Sequence, residues 1–125
     1  MDNNLNILMA TMGMEIGGAE PHVLELACEL QRRGFHVVVA SNGGVYEKDL
    51  QAAGVKHYKL PLHNRNIMNM IASYRGLKHI IKTEKIDIVH GHARIPSFLC
   101  GLLQKKMKFP FITTAHWVFK VNGLL

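Results

Sequence analysis

The fold is decided by residues 5–18, which have the sequence LNILMATMGMEIGG. The first six of these residues are almost wholly apolar, and three glycines follow, at Gly13, Gly17 and Gly18. A short apolar run that ends in a glycine-rich stretch is typical of a buried strand entering a tight loop. We therefore predict a first strand over residues 5–10 and a loop after it.

A strong helical pattern follows this loop. Apolar side chains recur at helical spacing from Ala19 to Arg33, and Gly34 stands where such a helix would end. The same criteria predict four further strands, over residues 36–41, 55–60, 86–90 and 111–115, and three further helices, over residues 45–53, 67–82 and 96–108. In the helix over residues 67–82, we expect the apolar face that includes Ile67, Met70 and Ile71 to lie in the core.

The predicted elements alternate strictly between strand and helix. The strands are apolar throughout, which is typical of a parallel sheet covered by helices on both faces. Right-handed crossovers then favour a doubly wound, Rossmann-like α/β sheet of about five strands. In such sheets, ligands bind outside the carboxyl ends of the strands, near the point where the strand order reverses between strands one and four.

Length and composition limit the class of protein. A chain of 125 residues, with 48% hydrophobic and 19% charged residues, predicts a single globular domain. It contains no apolar run near the ~18 residues of a membrane span, and its first residues, MDNNLN, lack a basic signal region, so we expect a cytoplasmic location. Cys28 and Cys100 fall in apolar helical patterns and predict buried thiols, with no disulfide framework or zinc motif.

Charge is distributed unevenly along the chain. Residues 1–60 carry five Lys or Arg and seven Asp or Glu, whereas residues 61–125 carry ten and two. The net charge is therefore −2 in the first part and +8 in the second. This asymmetry favours either an anionic partner, such as a phosphate ligand, a nucleic acid or a membrane surface, or simply well-solvated helices.

Polar residues and glycines follow four of the predicted strands and are the candidates for binding. A glycine loop that enters a helix lets backbone N–H groups approach an anion, and the helix N-terminus adds about half a positive charge. Diphosphate suits such a loop, although the same glycines also suit a purely structural turn. The candidates are Gly17 and Gly18 after strand one, Asn42 after strand two, His92 and Arg94 after strand four, and His116 after strand five.

Several functions lack their required residues. Dinucleotide binding needs an acidic residue after strand two, where Ser41 and Asn42 stand, and a phosphorylated receiver domain needs clustered carboxylates at the strand ends. A nucleotide-binding P-loop motif is absent. We also find no serine–histidine–acid arrangement at the strand-end loops that would support covalent hydrolysis.

The histidines allow more than one interpretation. His90, His92 and His116 would suit a zinc ion with an open position, but no carboxylate nearby would orient a ligand, so we expect no metal. We predict that His90 is buried and hydrogen-bonded within the sheet, whereas His92 and His116 are more exposed and better placed to meet a ligand. Arg94 would pair with a phosphate or carboxylate, or remain a solvated loop charge.

Four segments together resemble a known family. They are GGAE at residues 17–20 entering the helix HVLELACEL, RGFHVVV at residues 33–39, DIVHGH at residues 87–92, and PFITTAH at residues 110–116. In this order and at these strand ends, they resemble the N-terminal half of a family 4 glycosyltransferase of the GT-B fold. The resemblance implies transfer of a sugar from a nucleotide sugar to an acceptor, with retention of anomeric configuration and without an active-site metal or other cofactor.

The resemblance also implies roles for individual residues. Gly17 and Gly18 would approach the donor diphosphate or the reacting sugar, and His116 would border the reacting carbon as the catalytic residue. His92 would shape the acceptor pocket, with Arg94 and Asn42 as further acceptor contacts. Pro21 departs from the family pattern, in which a polar or basic residue is common.

Members of this family have a second domain, which holds the donor nucleotide through two glutamates. We therefore expect residues 1–125 to be a single, incomplete, acceptor-side domain that is inactive alone. The expected partners are a nucleotide sugar and a glycan or lipid-linked acceptor, with peripheral contact to an anionic membrane at its inner face and no nucleic acid. Two alternatives remain open: a noncatalytic sugar- or phosphate-binding fragment that acts with a partner chain, and part of a nucleotide-sugar epimerase.

Overall fold

The computed structural model describes residues 5–11, 20–62, 66–92, 94–107 and 111–114. It describes the backbone, but not the side chains, of residues 20, 21, 94, 95, 97 and 111–114. These residues form five strands and four helices in alternation. The strands are β1 (Asn6–Ala10), β2 (His36–Ser41), β3 (Lys56–Lys59), β4 (Ile88–His92) and β5 (Phe111–Thr114). The helices are α1 (Glu20–Arg32), α2 (Glu47–Ala52), α3 (Ile67–Thr83) and α4 (Arg94–Met107).

All strand pairs are parallel, and the sheet order is β3-β2-β1-β4-β5. Strand β1 lies at the centre, where Ile7 is opposite Val37 of β2 and Ile88 of β4. After β1, the chain adds β2 and β3 on one side of it, and then crosses back to add β4 and β5 on the other side. This order confirms the doubly wound sheet and its reversal between β1 and β4.

Helices cover both faces of the sheet. Side chains alternate between the two faces along each strand, so Met9, Val37 and Val39 pack beneath α1 and α2, on the α1–α2 side. Leu8 and Val38 point the other way, into the core beneath α3 and α4. Because both faces are buried, the interiors of β1 and β2 must be apolar, and residues 7–10 and 37–40 are apolar at every position.

The amino-terminal ends of three strands are joined through one residue, Glu84. Glu84, in the turn after α3, accepts hydrogen bonds from His36 Nε2 (2.9 Å), Lys56 Nζ (2.8 Å) and Tyr58 Oη (2.5 Å). The Asn6 side chain donates to the backbone carbonyl of Glu84 at 3.1 Å. Burial raises the pKa of Glu84, but the bonds from Lys56, Tyr58 and His36 outweigh it and lower this pKa to about 2. The turn before β4 is thereby fixed to the starts of β1, β2 and β3.

Strand β4 lies two residues later than the sequence predicted. The Asp87 carboxylate accepts the backbone N–H of Asn6 at 2.8 Å, and the Asp87 N–H donates to the Asn6 carbonyl at 2.7 Å. These bonds close the turn at Asp87, so pairing with β1 begins only at Ile88. The shift places His92 inside the strand instead of in the loop after it.

The prediction for the apolar face of α3 was partly wrong. Ile67 and Ile71 are 70% and 46% exposed, whereas the buried positions of this helix lie between Ser73 and Ile81. Met70 is half-buried and packs against the core. Helical spacing identifies an apolar face but not the length over which the core covers it, and here the fully buried positions begin only at Ser73.

We predict that Glu84→Gln lowers the free energy of unfolding by about 1–3 kcal/mol at pH 7, because a buried acceptor of three hydrogen bonds loses its charge. In the native protein, the low pKa of Glu84 contributes stability that is complete above its usual pKa of 4.5 and is lost as the pH falls to about 2. Urea denaturation at pH 7 and pH 3 measures both effects. The exposed Glu25, changed to Gln, is the matched control, and an equal loss in both variants would contradict this role of Glu84.

Candidate functional site

The carboxyl ends of the five parallel strands lie along one edge of the sheet, which we call the carboxyl edge. Of the six residues predicted to form the site, Asn42 and His92 are described with their side chains. Arg94 is described by its backbone alone, as the first residue of α4 and not as a loop residue. The predictions for Gly17, Gly18 and His116 lie outside the described residues.

The two histidines of β4 have the opposite exposure to that predicted. His92 is fully buried, whereas His90 is half-buried. Their side chains lie on the same face of β4, and the ring centroids are 4.1 Å apart with the planes tilted by 37°. The reason is the shifted strand, because β4 continues to His92, which is opposite Thr114 of β5. The more accessible imidazole of the pair is therefore that of His90.

Thr11 lies at the strand-order reversal and was not singled out from the sequence. It follows Ala10, which is opposite Gly91 of β4, and its backbone N–H donates to the Ala40 carbonyl at 3.0 Å. Its side chain is 1% exposed, and its hydroxyl has no hydrogen-bond partner among the described residues. Because an unpaired buried hydroxyl is costly, Thr11 is a candidate for contact with a ligand at this edge. The sequence signal that could have identified Thr11 is a polar residue directly after an apolar strand.

A serine–histidine–glutamate arrangement lies at the end of β2. Ser41 Oγ is 2.6 Å from His57 Nε2, and His57 Nδ1 is 3.1 Å from a carboxylate oxygen of Glu47. We predicted no serine–histidine–acid arrangement at the strand-end loops that would support covalent hydrolysis; the three residues do meet here, but the serine is completely buried. His57 comes from β3, opposite Val39, and Glu47 comes from the first turn of α2, so the three residues meet only through the fold.

The electrostatics of this arrangement favour a neutral imidazole. Burial lowers the pKa of His57, and this effect outweighs the Glu47 carboxylate, which raises it. The Glu47 carboxylate beside Nδ1 favours the tautomer that carries its proton on that nitrogen, so Nε2 accepts the Ser41 hydroxyl proton. This is the polarity of a catalytic triad.

The burial of the serine gives the arrangement a structural role. Ser41 is completely buried, the His57 side chain is 3% exposed, and Ser41 Oγ already accepts the backbone N–H of Gly43 at 3.0 Å. A nucleophile must reach its substrate, and this hydroxyl instead fixes the loop that follows β2. The arrangement therefore positions residues 42–44.

The loop over residues 42–44 depends on glycine. Gly43 has φ +97° and Gly44 has φ +141°, a region that L side chains rarely adopt. A Cβ atom added at Gly43 would also lie 3.3 Å from Glu47 Oε2. The half-buried Asn42 lies between Ser41 and this left-handed turn, so its position at the carboxyl edge is set by its neighbours on both sides.

Metal binding, thiol reactivity and membrane spanning are not features of the part of the chain that the structure describes. No three His, Cys, Asp or Glu side chains lie there in a group that would hold a metal ion. Burial raises the pKa of Cys100 to about 12, which leaves this thiol protonated and unreactive at neutral pH. Among the described helices, none has both the length and the apolar character needed to cross a membrane.

Comparison with known sequences identifies a family and two glycosyltransferases that are similar to this chain. The sequence profile described as Glycosyltransferase Family 4 matches residues 16–124. The chain is 34% identical over 103 residues to an uncharacterized glycosyltransferase of Methanocaldococcus jannaschii, which covers 81% of this chain and 28% of that protein. It is 26% identical over 112 residues to a human phosphatidylinositol N-acetylglucosaminyltransferase subunit, which covers 83% of this chain and 23% of that protein.

Solved structures of glycosyltransferases and of a related synthase have a similar fold. A glycosyltransferase from Rickettsia africae superposes with a TM-score of 0.79 at 25% identity, over 98% of this chain and 32% of that one. The sucrose-phosphate synthase of Thermosynechococcus elongatus has a TM-score of 0.73 at 12% identity, over 98% and 35%, and so shares the fold. The chain thus spans about a third or less of the proteins that it matches here. The profile match across residues 16–124 confirms the resemblance seen in the sequence, and the chain belongs to glycosyltransferase family 4.

Proposed function

We propose that this chain forms the acceptor side of a retaining glycosyltransferase of the GT-B fold. The reaction transfers a sugar from a nucleotide-sugar donor to a glycan or lipid-linked acceptor. The observation that carries the proposal is the family match over residues 16–124, which includes Gly17, Gly18 and His116 in one continuous segment. The name of the human relative, which specifies a phosphatidylinositol N-acetylglucosaminyltransferase, supports a lipid-linked acceptor.

A second domain completes the enzyme in this proposal. The chain spans 28% and 32% of two family relatives, so most of their length lies outside the segment that it matches. Transfer needs donor and acceptor in a near-attack arrangement, and such positioning can contribute about 7–11 kcal/mol to lowering the barrier. One wall of a cleft cannot supply this alone. We therefore assign residues 1–125 to the acceptor wall and donor binding to another domain.

We propose that residues at the carboxyl edge and in the segments that follow its strands carry out this role. Positive charge develops at the anomeric carbon during transfer, and we propose that His116 borders that carbon while the Gly17–Gly18 backbone approaches the donor. Asn42 and Arg94 are proposed acceptor contacts. We assign His92 to the acceptor side through His90, because the buried His92 ring lies against the more accessible His90 ring.

Activity is tested with the complete enzyme and a panel of nucleotide sugars. We expect nucleotide release in the presence of acceptor, a product that retains the anomeric configuration by NMR, and no release by residues 1–125 alone. His116→Ala should lower kcat by about 100-fold, as expected for loss of one transition-state contact, with little change in the donor KM. Unchanged kcat in this variant would remove His116 from the reaction, and an inverted product would contradict the proposed stereochemistry.

The loop after β2 gives a second test, with a closely matched control. Gly43→Ala and Gly34→Ala each place a side chain at a positive φ, +97° and +100°, and each should cost about 1–2 kcal/mol of stability. Only Gly43 lies beside Asn42 at the carboxyl edge, so Gly43→Ala alone should raise the acceptor KM, by about tenfold. Steady-state kinetics and thermal unfolding of both variants measure these effects. An equal change in KM for both variants would show that the loop does not position acceptor.

A further inference from the structure

The imidazole of His57 is linked to the loop over residues 42–44 through both of its ring nitrogens. On one side, Nε2 is 2.6 Å from Ser41 Oγ, which accepts the backbone N–H of Gly43 at 3.0 Å. On the other side, Nδ1 is 3.1 Å from Glu47 Oε2. The same Glu47 oxygen lies 3.3 Å from the position that a Cβ atom would occupy on Gly43. A change at either nitrogen of the ring therefore acts on Gly43.

These groups are shielded from solvent. Ser41 and Gly43 are buried, and the side chain of His57 is 3% exposed. A buried hydroxyl or N–H that loses its partner has no bulk water to replace it, and the loss is costly. The hydrogen bonds around Ser41 Oγ therefore constrain the geometry of the loop tightly.

Protonation of His57 reverses its hydrogen bond with Ser41. In the neutral ring, Nε2 accepts the Ser41 hydroxyl proton, whereas in the charged ring both nitrogens carry a proton and can only donate. Ser41 Oγ would then accept from His57 Nε2–H and from the Gly43 N–H, and its own proton would have no acceptor among these groups. Because such a proton is costly inside the protein, the charged ring favours a different arrangement of Ser41 and of the loop.

The charged groups that face His57 come from α2 and from β3 itself. Helix α2 contributes the Glu47 carboxylate, and β3 contributes Lys59, two residues further along the strand. Burial lowers the pKa of His57 from its usual value of 6.5, Glu47 raises it, and Lys59 lowers it. The ring is therefore largely neutral at neutral pH and takes up its proton below pH 6.5. The other titratable side chains of β2, β3 and α2 are exposed or are held by Glu84 at the amino ends of the strands: His36, Lys48, Asp49, Lys56 and Tyr58.

We propose that His57 is a positioning residue that holds the loop over residues 42–44 in its binding geometry only while its imidazole is neutral. When a proton from solvent adds to Nε2, the Ser41 hydroxyl proton turns to another acceptor, Gly43 shifts, and the neighbouring Asn42 moves with it. The consequence for sugar transfer rests on the proposed function, in which Asn42 contacts the acceptor. The acceptor then binds more weakly at acidic pH, whereas donor binding, which we assign to another domain, does not change.

The backbone N–H of Gly43 reports on the loop without any ligand. In the complete enzyme labelled with ¹⁵N-glycine, the Gly43 resonance, identified by its loss in Gly43→Ala, should shift between pH 7.5 and pH 5.5. His57→Gln keeps an acceptor for the Ser41 hydroxyl but cannot take up a proton, so its Gly43 resonance should stay at one position over this range. His79→Gln replaces an exposed histidine on α3 and is the matched control, which should titrate as the wild type does.

Steady-state kinetics test the consequence for the acceptor. With the acceptor that gives turnover in the nucleotide-sugar panel, the wild-type acceptor KM should rise about tenfold from pH 7.5 to pH 5.5, the factor that corresponds to one lost hydrogen bond. The donor KM should stay nearly constant. His57→Gln should keep the low acceptor KM at both pH values, whereas His57→Leu, which offers Ser41 no acceptor, should have the raised KM at both. Circular dichroism checks that each variant is folded.

Three outcomes would overturn the proposal. A Gly43 resonance that titrates equally in the wild type and in His57→Gln would show that another group controls the loop. A Gly43 resonance that titrates in neither would show that the protonation of His57 does not reach the loop. An acceptor KM with the same pH dependence in both proteins would separate the loop from acceptor binding. Because the Gly43 measurement needs no substrate, an absence of sugar transfer would contradict the proposed function, while the resonance would still decide whether His57 controls the loop.

Discussion

Burial of one parallel sheet on both faces is the constraint on which the rest of this structure depends. Every position of β1 and β2 from Ile7 to Ala10 and from Val37 to Ser41 is buried, so these strands have almost no room for polar side chains along their length. Polar chemistry is therefore confined to the strand ends. The amino ends use it for stability, through Glu84, and the proposed binding site lies at the carboxyl ends.

The two ends of the sheet use their polar groups differently. At the amino ends, the Glu84 carboxylate satisfies three donors from β2 and β3, which leaves little capacity for an external ligand. At the carboxyl ends, Ser41 is hydrogen-bonded to His57 and to the Gly43 N–H, and His57 lies beside the Glu47 carboxylate, so the loop after β2 is held in place from within the protein. A buried polar chain of this kind holds backbone geometry more firmly than apolar contacts do, because its members accept only a narrow range of positions.

The sequence predicts the architecture well because the sheet leaves a strong pattern. The apolar run at residues 36–41 and the helical spacing from Ala19 to Arg33 each depend on local periodicity, and both elements are confirmed within about one residue. The strand order follows from right-handed crossovers. These rules need no knowledge of individual contacts. The predictions that were wrong are those whose outcome depends on a contact between residues distant in sequence. The position of β4 depends on the bonds between Asn6 and Asp87, residues distant in sequence, and the two-residue shift reverses the exposure of His90 and His92. The members of the Ser41–His57–Glu47 arrangement come from three different elements, so no characteristic spacing in the sequence predicts it.

The central claim is that the carboxyl edge of the sheet is the ligand-binding edge of a glycosyltransferase. Hydrogen–deuterium exchange of the complete enzyme, with and without a nucleoside diphosphate released in its reaction and an acceptor, tests this claim directly. The account predicts slower exchange in peptides that contain residues 11–18, 41–44, 92–94 and 113–116, and no change near His36, Lys56 and Glu84. Slower exchange confined to the amino ends of the strands would contradict it.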